Sequence, residues 1–472
     1  MQNIAEIISR INSALNDIVW GIPMMLLIVG TGLYFSIRTG FPQFLKFGYA
    51  MKNTVGKAFS YGKIKDKGAI SPFQAVTTAL AGTVGTGNIA GVAGAIALGG
   101  PGAVFWMWVS ALFGMATKYS EILLAVKYRK RNSQGDWVGG PMYYITRGLG
   151  KEFKWLAILF SIFGAVAALG IGNMVQVNTV AGAFVNLIDE FTIGAIKSGD
   201  KSDMAIRLAI GLVISIIAAM VLLGGMKRIG AVTEKLVPAM SLLYIAGALI
   251  IVLMNIEEIG GVLKSIVIGA FAPEAVLGGA FGVSFIQSMR YGIGRGVFSN
   301  EAGLGSSPIA HAASSETDPA KQGLFGIFEV FADTIVICTL TALCILMSGI
   351  QIPFGHSAGA ELTISAFSTA FGGRVACIFI AFETALFAIA TILTWAHYGS
   401  RCAEYLFGTG IITLYKTVFV VFIVIGASLK MSLAWDIADT LNGLMAVPNL
   451  IAIIALSGVV VKVTKDHFQK RG

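Results

Sequence analysis

An apolar run long enough to cross a lipid bilayer recurs eleven times along this chain, and that repetition constrains everything else. A bilayer's hydrocarbon core takes about 20 helical residues. The runs fall near 18–36, 72–98, 101–126, 155–187, 204–224, 232–254, 272–298, 322–349, 373–400, 409–428 and 440–463. In lipid the backbone has no water to bond, so such runs must be helices packed on one another. Only 12% of the 472 residues are charged, about half the share of a soluble domain. Fifty-eight glycines suit closely packed and broken membrane helices. The connections are too short to hold a soluble domain. The expected fold class is all-α and polytopic.

A net charge of +9 raises nucleic acid as a partner, but the basic residues are scattered through loops where they set orientation. Segment 37–70 carries Arg38, Lys46, Lys52, Lys57, Lys63, Lys65 and Lys67 against Asp66. Segment 127–154 carries Lys127, Arg129, Lys130, Arg131, Arg147, Lys151 and Lys154. Two spans separate these segments, so both are expected to be cytoplasmic. Connection 188–203, one span further on, carries Asp189, Glu190, Asp200 and Asp203 and is expected outside. The tail, with Lys462, Lys465, Lys470 and Arg471, then returns to the cytoplasm, and the N-terminus lies outside. The first 20 residues lack a basic start and a small-residue cleavage site, so no removable signal is expected. Cys338, Cys344, Cys377 and Cys402 lie in or beside apolar runs without a CxxC pair and are read as reduced.

The chemistry-bearing features are glycine breaks. The second run carries AGTVGTGN (Ala81–Asn88), with Gly82, Gly85 and Gly87 inside an apolar helix, and the seventh carries MRYGIGRG (Met289–Gly296). Paired broken spans point to an inverted-repeat transporter with its site at the breaks. The division is then 1–71 for an extra helix and basic loop, with five-helix repeats at 72–254 and 255–472. A broken helix frees carbonyls that suit a cation and N–H groups that suit a carboxylate. Thr83, Thr86 and Asn88 add uncharged polar groups. These residues alone also fit a packing kink with hydroxyls bonded to their own helix. A phosphate loop is excluded, since no Lys-Ser/Thr follows GTVGTGN.

Gln176 and Asn178, two apart, face different ways on the fourth run, and Gln176 is preferred for the site. Thr391 shares a face with Thr394 and with Trp395 on the ninth. Two hydroxyls and free carbonyls make a plausible set for a hard cation such as Na⁺, although each threonine also fits an ordinary bond to its preceding turn. Glu329, Asp333 and Glu383 are intramembrane acids. Arg290 and Arg295, read as cytoplasmic, are the expected partners of Glu329 and Asp333 in a gate. The histidines show no metal-ligand spacing, and no nucleophile–base pair is spaced for catalysis. An enzyme is not expected.

GGPGAVFWMWVSALFG (Gly99–Gly114) resembles the signature of the alanine or glycine:cation symporter family, commonly called sodium:alanine symporters. TVGTGNIAGVAGAI (Thr83–Ile96), GGPMYYI (Gly139–Ile145) and RGVFSNEAGLGSSPIAHAA (Arg295–Ala313) are similar to further segments of that family. The resemblance covers essentially the whole chain. It implies a leucine-transporter-type fold, in which the first and sixth core helices of two inverted five-helix repeats are broken, plus one extra helix. By position it puts Ala81, Val84, Thr391 and Thr394 at a sodium site, with Asn88 matching a second. It puts Thr83, Gly85, Thr86 and Gly87 around the substrate's amino and carboxyl groups. Gln176, Phe285, Ser288, Met289 and Trp395 would enclose a small side chain. The implied partners are a small neutral amino acid such as alanine or glycine, Na⁺ as the coupling ion, and membrane lipid. Neither cofactor nor nucleic acid is implied, and the protein is read as monomeric. Proton coupling, a glutamine preference, an ion channel and an intramembrane enzyme are the competing readings.

Overall fold

The computed structural model describes residues 2–57, 66, 68–192, 196, 199–277, 283–428 and 432–469. Lys63, Lys65, Lys67, Lys470 and Arg471 lie outside the described residues. The helices that matter below run as follows. They begin with α1 (Gln2–Val19), α2 (Ile22–Thr39), α3 (Pro72–Thr83), α4 (Ala90–Gly99) and α5 (Gly102–Tyr128). Next come α6 (Lys154–Leu169), α7 (Val175–Thr192), α8 (Lys201–Leu222), α9 (Gly225–Met254) and α10 (Ile259–Phe271). The second half holds α11 (Phe285–Asn300), α12 (Ser307–His311), α13 (Pro319–Val330), α14 (Thr339–Met347) and α15 (Ala360–Phe371). The chain closes with α16 (Gly373–Phe407), α17 (Ile411–Ser428), α18 (Ser432–Ala455) and α19 (Ser457–Gln469). Among the described residues, eight helical stretches are long and apolar enough to cross a membrane, and two bent pairs reach that length together. The fold is a polytopic helical bundle.

The expected seventh span is the main departure. Its helix, α11, has 16 residues, short of the roughly 20 a bilayer needs, and it does not break at MRYGIGRG. Gly292 and Gly296, four apart, face α5 instead. A Cβ on the first would come within 2.3 Å of the Ala103 carbonyl, and one on the second within 2.4 Å of Ser110 Oγ. These are packing glycines, which let two backbones approach. The break comes later. Glu301 follows α11 in a left-handed conformation (φ 56°), and Gly303 and Gly305 have φ of 92° and 79°. A side chain at such a φ costs about 1–3 kcal/mol, whereas glycine adopts it freely.

Both broken helices start in the same way. Ser71 Oγ accepts the Gln74 N–H at 2.9 Å while Gln74 Oε1 accepts the Ser71 N–H at 3.1 Å. Ser284 and Gln287 repeat this reciprocal cap. Each box satisfies two helix-end donors and sets where the helix begins. Ile70 then donates to the Ala313 carbonyl at 2.9 Å and accepts from Ser315 at 2.8 Å, so the start of α3 lies beside the end of α12. At the opposite face, a Cβ on Gly99 would sit 3.4 Å from the Gln287 carbonyl, so the end of α4 lies beside the start of α11. The two broken helices therefore run antiparallel.

Helix α5 is the central strut, packed along both α11 and α13. Leu212, Ile216 and Met220 of α8, and Leu414 and Val421 of α17, are exposed, as lipid-facing residues are. On the basic face, Lys130–Arg131 pairs with Trp137–Val138 in a short hairpin. Asp66 receives Arg131 Nη2 at 2.7 Å and Trp137 Nε1 at 2.9 Å. The hydrogen bond from Arg131 leads in holding the Asp66 carboxyl down at about 2.

Candidate functional site at two helix breaks

Helices α3 and α4 meet at 54°, and the break is braced by uncharged side chains. The Gly85 N–H would close a turn on the Ala81 carbonyl, but it is donated to Asn88 Oδ1 at 2.8 Å. Gln176 Oε1 accepts from the Thr86 N–H at 3.3 Å and the Thr86 hydroxyl at 3.0 Å. The Gln176 amide donates to the Ile171 carbonyl at 3.0 Å, across a π-helical stretch, Gly170–Met174. Such a bulge re-aims a side chain within a helix. Asn178 instead donates to the Gly426 carbonyl at 3.1 Å. The break ends α3 with carbonyls and opens α4 with N–H groups, so its partial charges suit a cation on one side and a carboxylate on the other.

Helix α16 brings threonines against this break. A Cβ on Gly85 would fall 2.6 Å from Thr391 Oγ1, and one on Gly82 would fall 3.0 Å from Thr394 Cγ2. Only glycine admits that approach. The Thr391 hydroxyl donates to the Phe387 carbonyl at 3.0 Å, and Thr394 donates to the Thr78 carbonyl at 2.9 Å. A hydroxyl that donates keeps its lone pairs, so both oxygens remain usable by a cation. The Thr83 hydroxyl turns back to the Leu80 carbonyl at 3.2 Å. Ala81 and Val84, on either side of Gly82 and Thr83 in sequence, are buried.

A cavity of about 10 Å³ lies here, lined by Gly82, Thr83, Gly85 and Gly87, by Gln176, Thr391 and Trp395, and by Phe298, Ser299 and Glu301. That is about the room one water needs, so the site is closed around its own side chains. Phe285, Ser288 and Met289 do not line it. They precede Glu301 by three to four helical turns. Phe285 packs on Trp106 and Phe271, and Ser288 is buried. The part of this helix that lines the cavity is its last turn, with Phe298 and Ser299, followed by Glu301.

The second break is held by ions, which the sequence reading missed. Lys118 of α5 is fully buried. It donates to the Asn300 carbonyl at 2.8 Å, and its ammonium lies 3.0 Å from Glu329 Oε1. Gln322 donates to His311 Nδ1 at 2.8 Å, so the ring proton sits on Nε2, which faces Glu329 Oε2 at 3.2 Å. Ser307 also donates to Glu329. One carboxylate thus ties the end of α11, through Lys118, to both ends of α12. Asn449 of α18 donates to Glu121 of α5 and to the Gly303 carbonyl at 2.8 Å. Lys118 and Glu121 stand three apart in an otherwise apolar run, and that spacing is the signal that was there to find. Glu301 stands beside the glycines of EAGLG.

The expected gate pairs are not formed. Arg290 pairs with Asp17 of α1 at 2.7 Å, and Arg295 lines a cavity of about 310 Å³ with Asp439 and Leu98. That cavity lies at the α4–α11 end, opposite the end where α12 meets Ile70, so these arginines cannot reach Glu329. Asp333 is not beside it either. It falls in a π-helical stretch, Phe331–Cys338, and turns toward the first break. There it accepts from Asn88 Nδ2 at 2.7 Å and Ser299 Oγ at 3.0 Å.

Residues 5–472 match the family model described as the sodium:alanine symporter family. A sodium/alanine symporter, AgcS, of Methanococcus maripaludis is 45% identical over 469 residues, covering 98% of this chain and 97% of that one. A probable sodium/glutamine symporter, GlnT, of Bacillus subtilis is 37% identical over 467 residues, covering 99% and 92%. Among solved structures, MhsT in complex with L-phenylalanine aligns at a TM-score of 0.56 and 12% identity, over 85% of this chain and 99% of that chain. It is a leucine-transporter-type protein, and the likeness extends to fold.

Proposed function

The chain belongs to the sodium:alanine symporter family, and from that premise we propose that it imports a small neutral amino acid, alanine or glycine, coupled to Na⁺ by alternating access. It is a transporter by family and not an enzyme. The observation that carries the reading is the juxtaposition at the first break. Backbone groups freed there stand against Thr391 and Thr394, and among the described residues that line the cleft none is basic.

Na⁺ is a hard cation that takes neutral oxygens. The Ala81 and Val84 carbonyls with the Thr391 and Thr394 hydroxyls supply them, while Asn88 is a poorer ligand because its Oδ1 already accepts the Gly85 N–H. The substrate carboxylate faces the Gly87 N–H at the start of α4, beside the Gly85 and Thr86 N–H groups that already bond Asn88 and Gln176, with Thr83 and Thr86 alongside. Gln176 holds that backbone in place, and Trp395 with Phe298 limits side-chain size. Repeats at 72–254 and 255–472 rock against each other in this scheme, with the basic loops and C-terminus cytoplasmic.

Binding to the purified protein tests it. Radiolabelled alanine should bind with higher affinity as Na⁺ replaces K⁺, and glycine should displace it. Aspartate or lysine as the best competitor, or binding indifferent to Na⁺, overturns the reading.

A further inference from the structure

The proposed substrate is a zwitterion, and the first break accounts for only one of its charges. The backbone opening α4 suits the carboxylate and the α3 carbonyls are taken by Na⁺ in this scheme, so the ammonium requires another acceptor, of which a buried carboxylate is the strongest. Glu329, Asp333 and Glu301 are buried beside the breaks, and the first two are committed. Glu329 is held by Lys118, His311 and Ser307. Asp333 accepts from Asn88, Ser299 and Thr334.

The third is Glu301. It lines the same cavity as Gly85, Gly87 and Gln176 and is 1% exposed. Its Oε2 accepts the Ser306 hydroxyl at 2.5 Å, while Oε1 has no hydrogen-bond partner among the described residues. Lys118 is already engaged by Asn300 and Glu329, so the described residues give Glu301 no ion pair. Its side chain is also kept at a left-handed φ that glycine would adopt without strain.

We infer that Glu301 receives the ammonium group of the transported amino acid and so selects amino acids over carboxylic acids of the same shape. The inference rests on the amino-acid transport reading and adds a residue to it. Substrate enters as a charge-matched guest, its carboxylate on the backbone of the first break and its ammonium on the carboxylate of the second. One small molecule then bridges the two broken helices.

The probes are alanine and lactate, which carries a hydroxyl in place of the ammonium, each measured as a competitor of radiolabelled alanine in Na⁺. Wild type should bind alanine far better than lactate. Glu301→Gln should weaken alanine by roughly 10- to 100-fold, the scale of a lost charge-assisted bond. Lactate should change little, and ²²Na⁺ binding should persist. Glu301→Asp, which keeps the charge, should keep the preference for alanine even if the Gln variant fails to fold. Unchanged alanine affinity in Glu301→Gln overturns the inference. So does an equal loss of alanine, lactate and Na⁺ binding in both variants, which marks a structural role. If wild type binds no alanine at all, the transport reading fails first, and the wild-type arm alone reports that.

Discussion

The two helix breaks solve one problem with different chemistry. At the first, between α3 and α4, freed backbone groups are met by neutral side chains, Asn88 and Gln176. At the second, between α11 and α12, they are met by ions, with Lys118 on the Asn300 carbonyl and Glu329 across α12. A neutral brace on the backbone itself leaves the local dipoles free to act on a guest. An ionic brace is strong when complete and costly when one member is removed. The comparison assigns the ion and the substrate carboxylate to the first break, and to the second it assigns the ammonium, through Glu301, and, through Glu329 and Lys118, the restraint on α12.

The hardest test of that division is Glu329→Gln. It leaves Lys118 buried without its counter-ion, a loss of about 3–5 kcal/mol. If this pair holds α12 closed, a Thr83→Cys reporter should become more accessible to a cytoplasmic thiol reagent. Constant accessibility with collapsed folded yield would make the pair a static staple. Replacing both partners by leucine and methionine should restore yield without restoring closure.

Gln176→Leu sharpens the other side. It strands the Thr86 N–H in a dry site, at about 1–3 kcal/mol. Alanine affinity should fall roughly 5- to 150-fold, with cytoplasmic accessibility of the reporter unchanged. A variant that opened the inner face instead would erase the distinction between the breaks.

Thr391→Val and Thr394→Val keep shape and remove one oxygen each. A lost neutral hydrogen-bonding group is worth about 0.5–1.5 kcal/mol, so the Na⁺ concentration for half-maximal alanine binding should rise several-fold in each. Unaltered Na⁺ dependence in both would return these threonines to helix packing alone.

The smallest effect lies away from both breaks. Asp66→Asn removes a half-exposed pair worth under about 1 kcal/mol and should leave binding intact. Because the Asp66 carboxyl is depressed from 3.8 to about 2 in the fold, its stabilisation is present above pH 3.8 and lost as pH falls toward 2. A melting-temperature series over that range should show a smaller acid-side decline in the variant.

The same contrast explains what was legible in the chain. Apolar runs and loop charges announce the helices, because lipid leaves the backbone few choices. The first break is legible because glycines and small polar residues interrupt an apolar helix, although the same residues also fit a packing kink. The second was misplaced. Gly292 and Gly296 have the look of a break but serve packing on α5, and glycine spacing does not separate close approach from left-handed turn. Lys118 and Glu121 went unread because their partners, Glu329 and Asn449, are far along the chain. Glu301 went unread because only the fold sets it in the wall of the first break's cavity. Asp333 was displaced from Glu329 by a π-helical stretch, which shifts the face a residue occupies and carries no compositional mark.

Uptake of radiolabelled alanine into proteoliposomes tests the central claim most directly. With an inward Na⁺ gradient and no proton gradient, alanine should accumulate above its outside concentration. That accumulation should vanish when a Na⁺ ionophore equalises Na⁺. Equal uptake without a Na⁺ gradient, or accumulation driven by protons alone, would contradict the account.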